Sequence, residues 1–237
     1  SRGCPYQCIN CTKFIHGSQY RRRSPENAVE EIGMQIKNYG AREIHFWDDN
    51  LTLNPERVKK ICELIIQKGY NKKTRFAVPA GVRADIYDEE MFSMMRKANF
   101  YLLAVAVESG EQKVIDQIGK QLDLAKVPEN LQKLKNHGFR IILYFMMGFP
   151  FEKAESLDKT AKFAASLPGN HAHFFAVTPV PGTELFKMWQ KKSDIPINIL
   201  ERGANFDIPL ADRTAEEKKI LKRAIRKAYF LFYFNPS

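Results

Sequence analysis

What most constrains the fold is the regular exchange of two apolar periodicities along the chain. Short runs rich in β-branched and aromatic residues predict strands over residues 43–48, 74–81, 101–107, 140–147 and 172–178. Helical patterns with their own start and stop signals lie between them. Ser24-Pro25-Glu26 reads as an N-cap, a proline at the first helical position and an acidic first turn. Val29, Ile32, Ile36 and Tyr39 follow at helical spacing, and Gly40 ends the segment. Asn54-Pro55 opens a second helix with Val58, Ile61, Cys62, Ile65 and Ile66 on its apolar face. Asp88 caps a third, whose Met91, Met94 and Met95 read as core. Further helices are predicted over residues 112–118, 127–137 and 154–167, with a short one to about Lys191. Residues 194–212 read as irregular, and Thr214 caps a long aromatic-ended helix toward Phe234. Strands and helices alternating through short turns make right-handed βαβ units on a parallel sheet.

Alternation within the strands predicts which side chains face the helices and which face the other way. In the first strand Ile44 and Phe46 form the helix-facing side, leaving Glu43, His45, Trp47 and Asp49 on the opposite one. Leu103, Val105 and Val107 form a bulky side, while the small Ala104 and Ala106 stand in line with Glu108. Phe76 and Val78 oppose Ala77 and Gly81, with Arg83 beyond. Charges aimed into one mouth from separate strands are costly unless they meet a ligand or each other. A ligand bearing both an ammonium and a carboxylate satisfies acidic and basic groups together. The alternative is a structural ion-pair network of Asp49, Arg83 and Glu108.

Cys4, Cys8 and Cys11 share a loop opened by Gly3 and Pro5. Three thiols this close point to a thiophilic metal, zinc or an iron–sulfur cluster. A zinc knuckle completed by His16, or a disulfide with a spare thiol, is also open at this stage. A cluster held by three ligands keeps one metal position open, which suits chemistry better than scaffolding. Cys62 belongs to a helix face and reads as core. Few cysteines in metal-type spacing lead us to expect a reducing, cytoplasmic setting. The formal charge of +10 and the run Arg21-Arg22-Arg23 raise the option of an anionic partner. No nucleic-acid-binding motif accompanies the charge, and Lys59, Lys60, Lys72, Lys73, Lys218, Lys219 and Lys222 read as solvated helix faces. No apolar run is long enough to span a bilayer.

The loop Cys4-Pro5-Tyr6-Gln7-Cys8-Ile9-Asn10-Cys11 resembles that of radical S-adenosylmethionine (SAM) enzymes, with Asn10 where the family usually has an aromatic residue. Phe46-Trp47-Asp48-Asp49-Asn50, Gly81-Val82-Arg83-Ala84-Asp85 and Val107-Glu108-Ser109-Gly110 followed by Lys120 are similar to segments of the cobalamin-binding branch. So are Gly148-Phe149-Pro150-Phe151-Glu152 and Thr178-Pro179-Val180-Pro181-Gly182-Thr183. The resemblance implies an α/β fold, a partial six-stranded (β/α) TIM-like barrel. The chain is expected to be a fragment lacking the first strand, with the barrel over residues 1–192 and an irregular segment plus closing helix over 193–237. It implies a [4Fe–4S] cluster on Cys4, Cys8 and Cys11, and SAM bound by Asp48 or preferably Asp49, by Arg83, Glu108 and Ser109, and around its adenine by Tyr144, Met146, Val177, Thr178 and Pro179. It further implies reductive SAM cleavage that starts methylation, cyclisation or rearrangement on a small-molecule or lipid-like substrate. An electron donor such as flavodoxin or ferredoxin, and a cobalamin domain upstream of Ser1, are the expected partners. A zinc-stabilised basic nucleic-acid-binding module is the alternative.

Overall fold

The Ser24 hydroxyl accepts the Asn27 N–H (3.1 Å) and Pro25 starts α1, Pro25–Tyr39, which buries Val29 and Ile32. The same logic repeats along the chain: Asn54 caps α2, Pro55–Gln67, and Asp88 caps α3, Glu89–Lys97. The remaining helices are α4, Gln112–Gln117, α5, Val127–Asn136, α6, Ala154–Ser166, α7, Glu184–Gln190, and α8, Ala215–Phe234. The strands are β1, Glu43–His45, β2, Arg75–Arg83, β3, Phe100–Glu108, β4, Arg140–Met147, and β5, His171–Ala176. The computed structural model of the chain describes residues 1–190 and 213–234. The irregular stretch expected over residues 194–212, the boundary near 192 and Asn235-Pro236 lie outside the described residues.

All five strands pair in parallel, in the order β1-β2-β3-β4-β5, as a sheet built from consecutive βαβ units must. One sheet face packs on the helices through Phe76, Val78, Leu103, Val105, Val107, Ile141, Leu143 and Phe145, all buried. Met91, Met95 and Cys62 are fully buried there, as their helical spacing predicted. The other face presents small and polar side chains around the mouth, which is the expected partial (β/α) barrel.

Three strand boundaries differ from expectation, each for a local reason. β1 stops at His45 because the chain turns after Phe46, whose N–H still reaches the Ala77 carbonyl (2.9 Å). β2 runs on to Arg83 through a register shift between Val78 and Val82, which absorbs Pro79 and its missing N–H. β5 ends at Ala176, two residues early. Its outer edge is covered by α8: the Tyr229 and Tyr233 hydroxyls accept the Phe174 and Ala172 N–H groups (3.3 and 3.1 Å). The aromatic end of that helix therefore satisfies backbone donors of an edge strand.

Candidate active site

The carboxyl ends of β1, β2 and β3 and the amino-terminal loop enclose a cavity of about 510 Å³. The loop owes its path to backbone contacts. Gly3 lies at φ +86°, and a Cβ there would stand 2.1 Å from the Gln19 carbonyl oxygen, so only glycine fits. Cys4 N–H reaches the Gly17 carbonyl (3.3 Å), Ile9 N–H the Ile118 carbonyl (3.0 Å), and Leu185 N–H the Ile9 carbonyl (3.0 Å). Gly119 lets the Gln7 carbonyl approach to where a Cβ would meet it at 2.9 Å. Residues 1–11 are thus held from the α4 side and the α7 side of the mouth together.

Cys4, Cys8 and Cys11 all line this cavity and carry free thiols, as does the distant Cys62. Burial pushes the Cys8 and Cys11 thiols above their ordinary value; the Lys120 ammonium pulls Cys8 back, and neighbouring cysteines push both up further. Among the described residues no three His, Cys, Asp or Glu side chains converge on one metal ion. A cluster differs from a single zinc ion in that each thiolate takes a different iron, so its ligands stand further apart. His16, the candidate fourth zinc ligand, instead points its Nδ1 at both Asp49 carboxylate oxygens (2.9 and 3.1 Å). The donor set suits an iron–sulfur cluster, and loading it would displace the thiol protons.

Asp49 and Glu108 both line the cavity. Asp49 Oδ2 accepts the Gly3 N–H (2.6 Å), tying the strand end to the cysteine loop. Asp48 also lines it, but its Oδ1 accepts the Ser1 hydroxyl (2.6 Å) and lies 4.0 Å from Arg57 Nη1. Glu108 stands at φ +73°, where the β3–β4 register shifts, and this uncommon backbone turns its carboxylate into the mouth. There it meets Lys120 Nζ at 2.6 Å, both side chains mostly buried. Lys120 is the residue that the sequence reading left out of the site. It comes from a loop after α4, where no periodicity indicates direction; its only signal was its place behind Glu108-Ser109-Gly110.

Other expected site residues lie elsewhere. Arg83 borders the cavity, yet its Nε and Nη2 bind Asp85 (3.0 and 2.8 Å) and its Nη1 and Nη2 donate to the Lys120 and Gln121 carbonyls (2.8 and 2.6 Å). Its guanidinium also covers the Tyr6 ring at 4.0 Å. It is therefore a brace for the Lys120 loop, with little left for a ligand. Ser109 is fully buried, hydrogen-bonded to Thr160 of α6 (3.1 Å), on the helix-facing side opposite Glu108. Val177 is buried in the core and, with Thr178 and Pro179, follows the end of β5 without lining the cavity. Tyr144 donates to the Pro79 carbonyl (3.1 Å) and stands edge-on to His173 and Phe175. Met146 Sδ accepts the Asn10 amide N–H (3.1 Å), which brings β4 against the cysteine loop, and Asn10 Oδ1 is buried without a partner among the described residues.

The chain is 29% identical, over its whole length, to an uncharacterized methyltransferase of Pyrococcus horikoshii, covering 50% of that protein. It is 25% identical over its whole length to the anaerobic magnesium-protoporphyrin IX monomethyl ester cyclase of Rubrivivax gelatinosus, covering 42% of it. The chain thus spans about half the length, or less, of these relatives. Among solved structures, the radical S-adenosylmethionine methyltransferase TsrM of Kitasatospora setae, with cobalamin and a [4Fe–4S] cluster bound, superposes with a TM-score of 0.75 at 15% identity. That match covers 97% of this chain and 50% of the other. The family model described as the Radical SAM superfamily matches residues 1–164. The chain belongs to the Radical SAM superfamily.

Proposed function

We propose that this chain is the SAM-cleaving core of a radical enzyme of the cobalamin-binding branch. The observation that carries the reading is the meeting of three cluster-type thiols with the Glu108–Lys120 charge pair in one cavity. Cys4, Cys8 and Cys11 hold a [4Fe–4S] cluster, which when reduced supplies the electron that splits SAM into methionine and a 5′-deoxyadenosyl radical. The protein contributes position and exclusion of water. Asp49 and Glu108 take the ammonium of SAM. Lys120 exchanges Glu108 for the carboxylate of SAM, so that a buried ion pair opens only onto a zwitterion of matching charge. Arg83 fixes the loop from which Lys120 reaches. Asn10 lines the cavity where the nucleoside is to lie, held there by Met146, and its Oδ1, unsatisfied among the described residues, awaits a donor.

The names of the relatives, methyltransferase and cyclase, support methylation or ring formation as the outcome on a small-molecule or lipid-like substrate. The likeness to TsrM supports a cobalamin partner domain. The thiol set favours a reducing cytoplasm and a one-electron donor protein such as flavodoxin or ferredoxin; among the described residues no helix is long and apolar enough to cross a membrane. The test is anaerobic reconstitution with iron and sulfide, then addition of SAM and dithionite. Formation of 5′-deoxyadenosine is expected; a protein that takes up zinc, stays colourless and leaves SAM intact would sink the reading.

A further inference from the structure

α8 closes the edge of β5 with one side and faces away from the protein with the other. Leu221 and Ala228 are buried, and Ala224, Ile225, Leu231 and Phe232 pack against the core. At 3.6 residues per turn the opposite side is the stripe Lys219, Arg223, Arg226, Phe230 and Phe234, every one exposed and bordered by exposed Lys222. From Lys218 to Phe234 the chain carries six bases and no acid. Lys227 pairs with Asp158 of α6; among the described residues the other five make no ion pair. Solvated helix faces elsewhere pair their bases along the same helix, as Lys60 does with Glu63 and Lys133 with Glu129. Past Glu217, α8 has no acid with which to do so. Its stripe ends on two phenyl groups, Phe230 (61% exposed) and Phe234 (72%), stacked on each other with ring centroids 5.5 Å apart. A single exposed apolar side chain needs no explanation, but two joined rings on one side of a basic helix do.

We propose that this stripe, Lys219, Arg223, Arg226, Phe230 and Phe234, docks the protein on an anionic phospholipid bilayer. A basic helix with aromatic residues lies in the plane of the interface, its bases at the phosphates and its rings at the acyl boundary. In α8 the two kinds of side chain are separated along the axis: the bases span ~10 Å of helix and the phenyl groups follow over the next ~12 Å. With the aromatic end dipped, the rings sit below the phosphates, while the long Lys and Arg side chains keep their charges among them. Uncompensated positive charge selects an anionic surface over a neutral one. A convex helix offers a partner protein no pocket to enclose the rings, whereas a fluid surface encloses them without one. None of the stripe lines the cavity at the cysteine loop, so a failure of the radical reading leaves this docking surface standing.

The test is co-sedimentation of the reconstituted protein with vesicles of phosphatidylglycerol and phosphatidylcholine in equal parts, at about 100 mM salt. Binding is expected to these vesicles and not to phosphatidylcholine alone. Lys219→Gln with Arg223→Gln and Arg226→Gln weakens it at least ~10-fold, as the loss of three bases at an anionic surface requires. Lys219→Arg with Arg223→Lys and Arg226→Lys keeps it. Phe230→Ser with Phe234→Ser weakens binding ~10-fold and leaves a remainder that salt abolishes, whereas Phe230→Leu with Phe234→Leu retains it. Lys68→Gln with Lys72→Gln and Lys73→Gln removes the same charge from exposed lysines between α2 and β2, and leaves binding unchanged. No sedimentation with anionic vesicles, equal binding to neutral ones, or equal losses from the α8 and control lysines would overturn the proposal. So would a dimer that Phe230→Ser with Phe234→Ser dissolves, or RNA bound by the stripe while the vesicles stay free.

Discussion

Two basic residues near the mouth have separated roles. Arg83 spends four hydrogen bonds on Asp85 and on the Lys120 loop, while Lys120 has, among the described residues, a single salt bridge, to Glu108. Lys120→Met is therefore expected to weaken SAM binding by ~10- to 100-fold, the worth of a charge-assisted hydrogen bond, with iron content unchanged. Equilibrium binding of SAM to the reconstituted variant checks this, and unaltered affinity would remove Lys120 from the site. Cys8→Ser abolishes cluster assembly, and Cys62→Ser leaves the iron content as it was; iron analysis of the two separates ligand from core. Glu152 offers a test by pH. Its Oε2 accepts the Gly148 and Phe149 N–H groups (2.6 and 2.7 Å), yet burial raises its pKa from 4.5 to about 7. The folded state thus holds the proton more tightly than the unfolded chain. As pH rises from 4.5 toward 7 the unfolded chain ionises first, and Glu152 costs stability that is not recovered above 7. Glu152→Gln should raise the melting temperature relative to the parent by a margin that grows between pH 5 and pH 7.5, about 2–4 °C for each kcal/mol. A margin independent of pH would show that Glu152 is ionised throughout.

Alternation along β3 places Ala104, Ala106 and Glu108 on the side of the mouth, because side chains on a pleated strand have only two directions, whereas β1 ends at His45 and both Asp48 and Asp49 beyond it line the cavity. Ser109, assigned to SAM by the family resemblance alone, falls on the opposite, helix-facing side and is buried against Thr160. Val177 to Pro179, which the resemblance put around adenine, lie past the end of β5, where no strand period applies, and do not line the cavity. Lys120 was out of reach for the same reason, since a loop residue has no period at all. The cysteine loop was legible by composition, but its closure depends on one backbone position. Gly3→Ala places a methyl group on the Gln19 carbonyl, and should prevent cluster loading while the far-ultraviolet circular dichroism stays unchanged. Gly17→Ala, at φ +80° with nothing within 4 Å, carries only the backbone strain, ~1 kcal/mol, and should still load. Iron incorporation compared between the two checks that contact, not flexibility, makes Gly3 necessary.

At the scale of the whole molecule the order of elements was the most readable feature, because five strands separated by helices admit only a parallel sheet, and a parallel sheet gathers its loops at one end. The thiols, Asp49, Glu108 and Lys120 come from four separate stretches of chain, and the sheet together with the backbone contacts of the cysteine loop brings them to one mouth. What binds there is decided by the charges at that mouth. The most direct measurement is electron paramagnetic resonance of the reduced, reconstituted protein before and after SAM is added. A [4Fe–4S] signal whose g values shift on adding SAM, and do so only at far higher SAM concentration in Lys120→Met, is the predicted result. A cluster signal indifferent to SAM, or no cluster at all, would contradict the account.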